Sequence, residues 1–213
     1  MPKKKVIEVK NLTCLEGESL LVNNVSFEIN NNDKVAIIGK SGEGKSVIFD
    51  ILLKNITNYN GSIKFMGVNI EKLNRENMLN NIGYYSQKIN IFNDDIYSNI
   101  RYGDFKNMHM AERLISEFGL DFLKNRNLGE DGINISKGEK TRIETIRLLL
   151  NSNNLFLLDE PFEGLDCIMK KKIIKETKEY LKNKTVIIIS HDFNILNELV
   201  SKYIFIDNEK KYI

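Results

Sequence analysis

The segment Gly39-Lys40-Ser41-Gly42-Glu43-Gly44-Lys45-Ser46 constrains this chain more than any other. It fits the pattern G-x-x-x-x-G-K-[ST] and follows Val35-Ala36-Ile37-Ile38, a continuous apolar run. Such a run marks a strand buried on both faces. Apolar periodicity from Lys45 to about Lys54 predicts a helix immediately after the loop. In a strand–loop–helix unit of this kind, backbone N–H groups curl around a phosphate and the helix N-terminus adds its positive end. Lys45 then supplies a charge for the β- and γ-phosphates, and Ser46 an oxygen for Mg²⁺. The run from Gly39 through Val47 is therefore a candidate nucleoside triphosphate cradle, and the motif alone does not say which P-loop class it belongs to. A Gly-rich turn that happens to contain Lys-Ser is the bland alternative, and the flanking strand and helix argue against it.

A second constellation narrows the chemistry. Leu155-Phe156-Leu157-Leu158 is another buried strand, and it ends in Asp159-Glu160. Neighbouring side chains on a strand point opposite ways, so the two acids cannot share one task. Asp159, at a strand end beside the loop, can hold Mg²⁺ through water. Glu160 can face the γ-phosphate and take a proton from attacking water. Helix capping by two acids is the competing structural reading. His191 ends the strand-like Val186-Ile187-Ile188-Ile189-Ser190, where open α/β sheets bind their ligands. Gln87 follows the strand-like Ile82-Gly83-Tyr84-Tyr85 and is weak evidence alone. His109, the other histidine, reads as structural.

The surrounding pattern predicts an α/β fold with a mostly parallel sheet. Short strands are expected at Val6–Val9, Val25–Ile29 and Lys34–Ile38, separated by turns near Asn23-Asn24 and Asn30–Asp33. The middle reads as helices over Asp94–Ile100, Met108–Phe118 and Gly138–Asn151. The last third alternates: strand Leu155–Leu158, helix Asp166–Lys182, strand Thr185–Ile189, helix Phe193–Val200 and strand Tyr203–Ile206. No apolar run exceeds four residues, so no membrane span or signal peptide is expected. The net charge of +2 provides no broad field for nucleic acid. Cys14 and Cys167 have neither zinc-ligand nor redox spacing and suggest a reducing compartment. The basic triplet Lys170–Lys172 reads as solvated surface.

Taken together, these motifs resemble the nucleotide-binding domains of ABC transporters along nearly the whole chain. Gly39–Ser46 looks like Walker A, and Leu155–Pro161 like Walker B with its glutamate. Gln87 matches the Q-loop, and Ile135-Ser136-Lys137-Gly138-Glu139 the signature LSGGQ. Glu163-Gly164-Leu165-Asp166 matches the D-loop, and Ser190-His191-Asp192 the H-loop. Leu128–Gly132 and Ile91–Ile100 resemble the exporter subtype. The resemblance implies one ABC ATPase domain over 1–213, with a RecA-like core of about 1–86 and 153–213, an antiparallel N-terminal β portion, and a helical subdomain of about 87–152. It implies two such domains packed head to tail, with ATP between Walker A of one and Ser136 and Gly138 of the other. Glu160 would be the general base, His191 a γ-phosphate contact, and Gln87 part of the Mg²⁺ and water network beside Ser46 and Asp159. Asp166 would sit at the dimer interface. The implied partner is an exporter's transmembrane domain, which places the chain on the cytoplasmic side of the cell membrane, with no nucleic acid involved. A soluble non-transport ABC ATPase and a regulatory cassette with little turnover are the alternatives.

Two positions depart from the pattern. The A-loop, where an aromatic side chain usually stacks on adenine, has Glu16, and the first aromatic residue of the chain is Phe27. Either base binding is weakened or an apolar side chain such as Leu15 covers the base. Lys137 stands where the signature has its first glycine, and it either points away or adds charge to the composite site. Glu139 for Gln is a milder change, and Val47 for Thr affects packing.

Overall fold

The computed structural model describes residues 4–40, 42, 44–101 and 108–206. Ser41 and Glu43 of the phosphate loop lie outside the described residues.

The fold has two sheets. An antiparallel sheet contains β1 (Lys5–Glu16), β2 (Ser19–Asn30), β4 (Asn60–Phe65) and β5 (Val68–Asn69) in the order β2-β1-β4-β5. A parallel sheet contains β3 (Lys34–Ile38), β6 (Ile82–Tyr85), β7 (Leu155–Asp159), β8 (Thr185–Ile189) and β9 (Lys202–Phe205) in the order β6-β7-β8-β3-β9. The expected α/β class, with an antiparallel N-terminal portion, is what forms.

The apolar runs of β3, β7 and β8 are continuous because both faces of the parallel sheet are covered. Ala36, Phe156, Leu158, Val186 and Ile188 share one core with Phe118, Ile143 and Ile146. Val35, Ile37, Leu157, Ile187 and Ile189 share the other with Ile48 and Phe49, and with Ile7, Val9 and Ile29 of the antiparallel sheet. Helix α1 (Lys45–Leu52) packs on this second side. Helices α3 (Ile96–Ile100), α4 (Met108–Glu117) and α5 (Lys137–Leu150) contribute Ile100, Leu114 and Ile143 to the first core. Helix α2 (Arg75–Leu79) precedes β6, and α6 (Cys167–Tyr180) and α7 (Phe193–Leu199) flank β8 in sequence. Among the described residues no helix is long and apolar enough to cross a membrane.

The N-terminal reading needs correction. The strands at Val6–Val9 and Val25–Ile29 are the first part of β1 and the last part of β2, each 12 residues long, and β2 runs straight through Asn23-Asn24. These asparagines mark bulges. Asn11 and Asn24 adopt φ 49° and 48°, and the β1–β2 register shifts between Val9 and Leu12. Asparagine tolerates the left-handed region, so the ribbon kinks without ending. Side-chain hydroxyls serve the displaced amides: Asn11 N donates to Ser26 Oγ (2.8 Å) and Asn24 N to Thr13 Oγ1 (3.0 Å).

Candidate functional site

Helix α1 begins with Gly44 at φ 76°, which provides no side-chain cap, and the first turn carries no acidic residue. Its leading N–H groups and positive end are therefore free for an anion. The glycine is required here for two reasons. Its φ favours a residue without Cβ, and a Cβ would lie 2.0 Å from the Leu21 carbonyl oxygen. The loop is thus clamped against the backbone of β2. Lys45, which is largely buried, folds back and donates to the carbonyl oxygens of Gly39 (2.8 Å) and Lys40 (2.6 Å). These acceptors hold the ammonium group at the loop where a phosphate oxygen can replace them.

Asp159 ends β7 beside this loop, and its side chain hydrogen-bonds with Ser46. Burial first, and then the neighbouring charge of Glu160, push its carboxyl up to about 6, with the Ser46 contact opposing them. Its Oδ1 atom is buried without a hydrogen-bond partner. An orphaned carboxylate oxygen next to a serine hydroxyl suits a hard cation. Among the described residues no three His, Cys, Asp or Glu side chains gather into a metal cage. Mg²⁺ held by Ser46 and Asp159 would therefore take its remaining ligands from phosphate and water, as that ion does.

Glu160 leaves the sheet in the left-handed region at φ 43°. A non-glycine residue there is strained and is held by its surroundings. Its N–H donates to Ile189 O (2.8 Å), extending the β7–β8 ladder by one residue. The carboxylate turns toward the end of β8, where Oε2 accepts from the His191 N–H (3.2 Å) and Oε1 lies 3.4 Å from His191 Nε2. Phe162, at φ 65°, is fully buried, and its N–H donates to the Tyr85 hydroxyl (3.3 Å). That bond ties the Walker B turn to β6, which leads into Gln87.

One cleft of about 970 Å³ brings these groups together. Gly42, Gly44, Lys45, Ser46, Val47, Gln87, Glu160 and His191 all line it. Asp159 sits just beneath, through Ser46. Leu15 does not line the cleft; Leu21 of β2 does, beside Val47. Leu21, Glu163 and Lys170 also line it; the sequence carries no signal for Leu21, places Glu163 only in the D-loop match, and assigns Lys170 no role at a site. Of the basic triplet, Lys171 and Lys172 are exposed, as expected of a solvated surface, with Lys172 Nζ donating to the Glu117 carbonyl; only Lys170 departs from that reading, partly buried and paired with Asp192 at 2.7 Å. The 100° helical step gives each lysine its own surroundings, which a charge count does not reveal.

The signature residues stand apart. Ser136, Lys137, Gly138 and Glu139 open α5 and do not line this cleft. Ser136 Oγ accepts from Glu139 N (3.3 Å), and Glu139 Oε2 accepts from Ser136 N (2.8 Å), a complete capping box. The carboxylate at Glu139 thus has a local structural role. Lys137 pairs with Glu163 at 2.9 Å in an exposed contact. Asp166 caps α6, accepting from Ile168 N (3.0 Å) and Met169 N (2.9 Å), and these backbone bonds hold its carboxyl below the usual range.

A twisted parallel sheet with a glycine loop, a buried aspartate and a following glutamate at one end defines a P-loop nucleoside triphosphatase architecture. The comparisons with known proteins specify which. The family profile described as ABC transporter matches residues 22–163, and the chain belongs to that family as its ATP-binding domain. It is 29% identical over 97% of its length to 38% of the glutathione/L-cysteine transport system ATP-binding/permease protein CydC of Haemophilus influenzae. It is 32% identical over 89% of its length to 34% of an ATP-dependent lipid A-core flippase of Haemophilus influenzae. The chain thus spans little more than a third of the curated relatives it matches. Its fold matches the structure of a bacterial Atm1-family ABC exporter with ATP bound, with a TM-score of 0.86, 24% identity and coverage of 97% of this chain and 38% of that one.

Proposed function

We propose that this chain binds and hydrolyses Mg·ATP as the motor of an ABC exporter, working as a head-to-tail pair beneath a transmembrane partner on the cytoplasmic face. The division into a core of about 1–86 and 153–213 and a helical part of about 87–152 belongs to this reading. The observation that carries it is the convergence of Lys45, Ser46, Gln87, Glu160 and His191 on one cleft while Ser136 opens a helix outside it. Half of an ATP site lacks donors on the far side of the γ-phosphate. A second copy supplies them through its Ser136 hydroxyl and the N–H groups at the start of its α5. That relatives are named ATP-binding/permease proteins supports the membrane partner.

In this reading Lys45 and the α1 N–H groups hold the β- and γ-phosphates. Mg²⁺, when bound, screens the phosphate charge. Glu160 accepts a proton from a water aligned by Gln87 as that water attacks the γ-phosphorus. The bond to the ADP oxygen breaks, and His191 stabilises the charge on the departing phosphate. Closing the pair completes the site, and hydrolysis reopens it, which moves the membrane partner. Turnover by concentrated protein with Mg·ATP tests the reading. Glu160→Gln should lower kcat by about 10²–10⁴-fold while nucleotide still binds. Unchanged turnover in that variant would remove Glu160 from the role.

A further inference from the structure

Two ion pairs join α6 to α7 or its cap, and they differ in where they sit. Lys178 Nζ meets Glu198 Oε2 at 2.8 Å with both side chains about half exposed. Lys170 Nζ meets Asp192 Oδ2 at 2.7 Å with side chains only 24% and 25% exposed, and both residues line the nucleotide cleft. Asp192 follows His191 directly. Its other oxygen, Oδ1, accepts from Asn194 N (2.9 Å), and its own N–H donates to Ser190 Oγ (3.1 Å). The loop from Ser190 to Asp192 is thus pinned on both sides of His191. His191 in turn places its N–H on Glu160 Oε2 and its ring against Glu160 Oε1. The Lys170 ammonium holds the Asp192 carboxyl below the usual range, although burial opposes it, so the pair is formed as ions.

We infer that Lys170 is a positioning residue for ATP hydrolysis: through Asp192 it fixes the His191 loop, and the loop aims the Glu160 carboxylate into the cleft. The inference rests on the proposed role of Glu160 as general base. Lys170 touches neither Glu160 nor His191 in the hydrogen-bond pattern, so its effect must pass through Asp192. The start of α6 also carries the D-loop, with Asp166 as its cap and the Lys170 N–H donating to Asp166 O (2.9 Å). A shift of that helix end is therefore felt at the catalytic carboxylate through a single ion pair.

The test uses the full chain with Mg·ATP and reads kcat and KM separately, with thermal unfolding as a check on folding. Lys170→Met should lower kcat about tenfold, as expected for a small misplacement of a reacting group, and leave KM within about twofold. Asp192→Asn keeps the Asn194 cap acceptor and loses the charge, so it should match that loss. The double variant should be no worse than either single one, as for residues that act as one unit. Lys170→Arg should recover most of kcat. Lys178→Met, which removes the outer pair between the same two helices, should leave kcat unchanged. The inference is overturned if Lys170→Met turns over like the parent, if the two losses add, or if Lys178→Met is equally slow. Glu160→Gln run alongside separates the two ideas. Loss there with normal Lys170→Met sinks only this inference, whereas normal turnover in Glu160→Gln sinks the general-base assignment itself.

Discussion

Replacing Asp159 with Asn should make the nucleotide-free chain more stable while ending its turnover. The carboxyl lies on a buried strand end with Oδ1 unpartnered, and its ionisation is displaced from 3.8 to about 6, chiefly by burial and then by Glu160. A displacement of that size corresponds to about 3 kcal/mol against the charged form at neutral pH. The sign follows from the raised value. Below about pH 3, under the unfolded value of 3.8, both folded and unfolded chains hold the proton, and the native state carries no penalty. As pH rises from about 3 to 6 the unfolded chain releases it first, and stability falls until the folded carboxyl also ionises. Urea unfolding of parent and variant should therefore differ by about 3 kcal/mol at pH 7.5 and by only about 1 kcal/mol at pH 4.5. Mg·ATP should narrow the gap at pH 7.5, because a ligand that binds the native parent stabilises it by mass action and the variant lacks a cation ligand. Equal stability at pH 7.5, or a difference that does not shrink on acidification, would refute the idea that this carboxylate is held at a cost until a cation arrives.

Gly44→Ala should cost at least the ~1–3 kcal/mol of a strained left-handed residue, plus the overlap with Leu21 O, and should abolish ATP binding; thermal unfolding and nucleotide titration measure both. Ser136→Ala should lose about 1 kcal/mol of stability with the α5 cap. Ser136→Asp should restore stability but not turnover, because it returns a cap acceptor while facing phosphate with a negative charge. Lys137→Ala removes only an exposed pair with Glu163 and should change stability by less than about 1 kcal/mol in the same denaturation assay.

Much of this was legible in the sequence because it depends on neighbours along the chain. The phosphate loop needs only a buried strand before it, glycines of the right spacing and a helix after it, and all three are local. The acids at the end of β7 and the βαβ alternation of the last third are local in the same way. The length of β1 and β2 was not legible, since Asn11 and Asn24 carry turn-like backbone angles that cross-strand hydroxyls turn into bulges. Nor was the split fate of Lys170 and Lys172, which the partners packed around α6 decide.

The sequence by itself determined which groups are available: a glycine loop at Gly39–Ser46 after a buried strand, Asp159 and Glu160 at the end of another, and Ser136 ahead of a helix. Only the tertiary structure decided that Gln87, Glu160, His191 and Lys170 face one cleft while Ser136 does not. Side chains from four separate segments meet there because parallel strands bring their carboxyl ends to the same edge of the sheet. Spacing along the chain does not encode that distance in space.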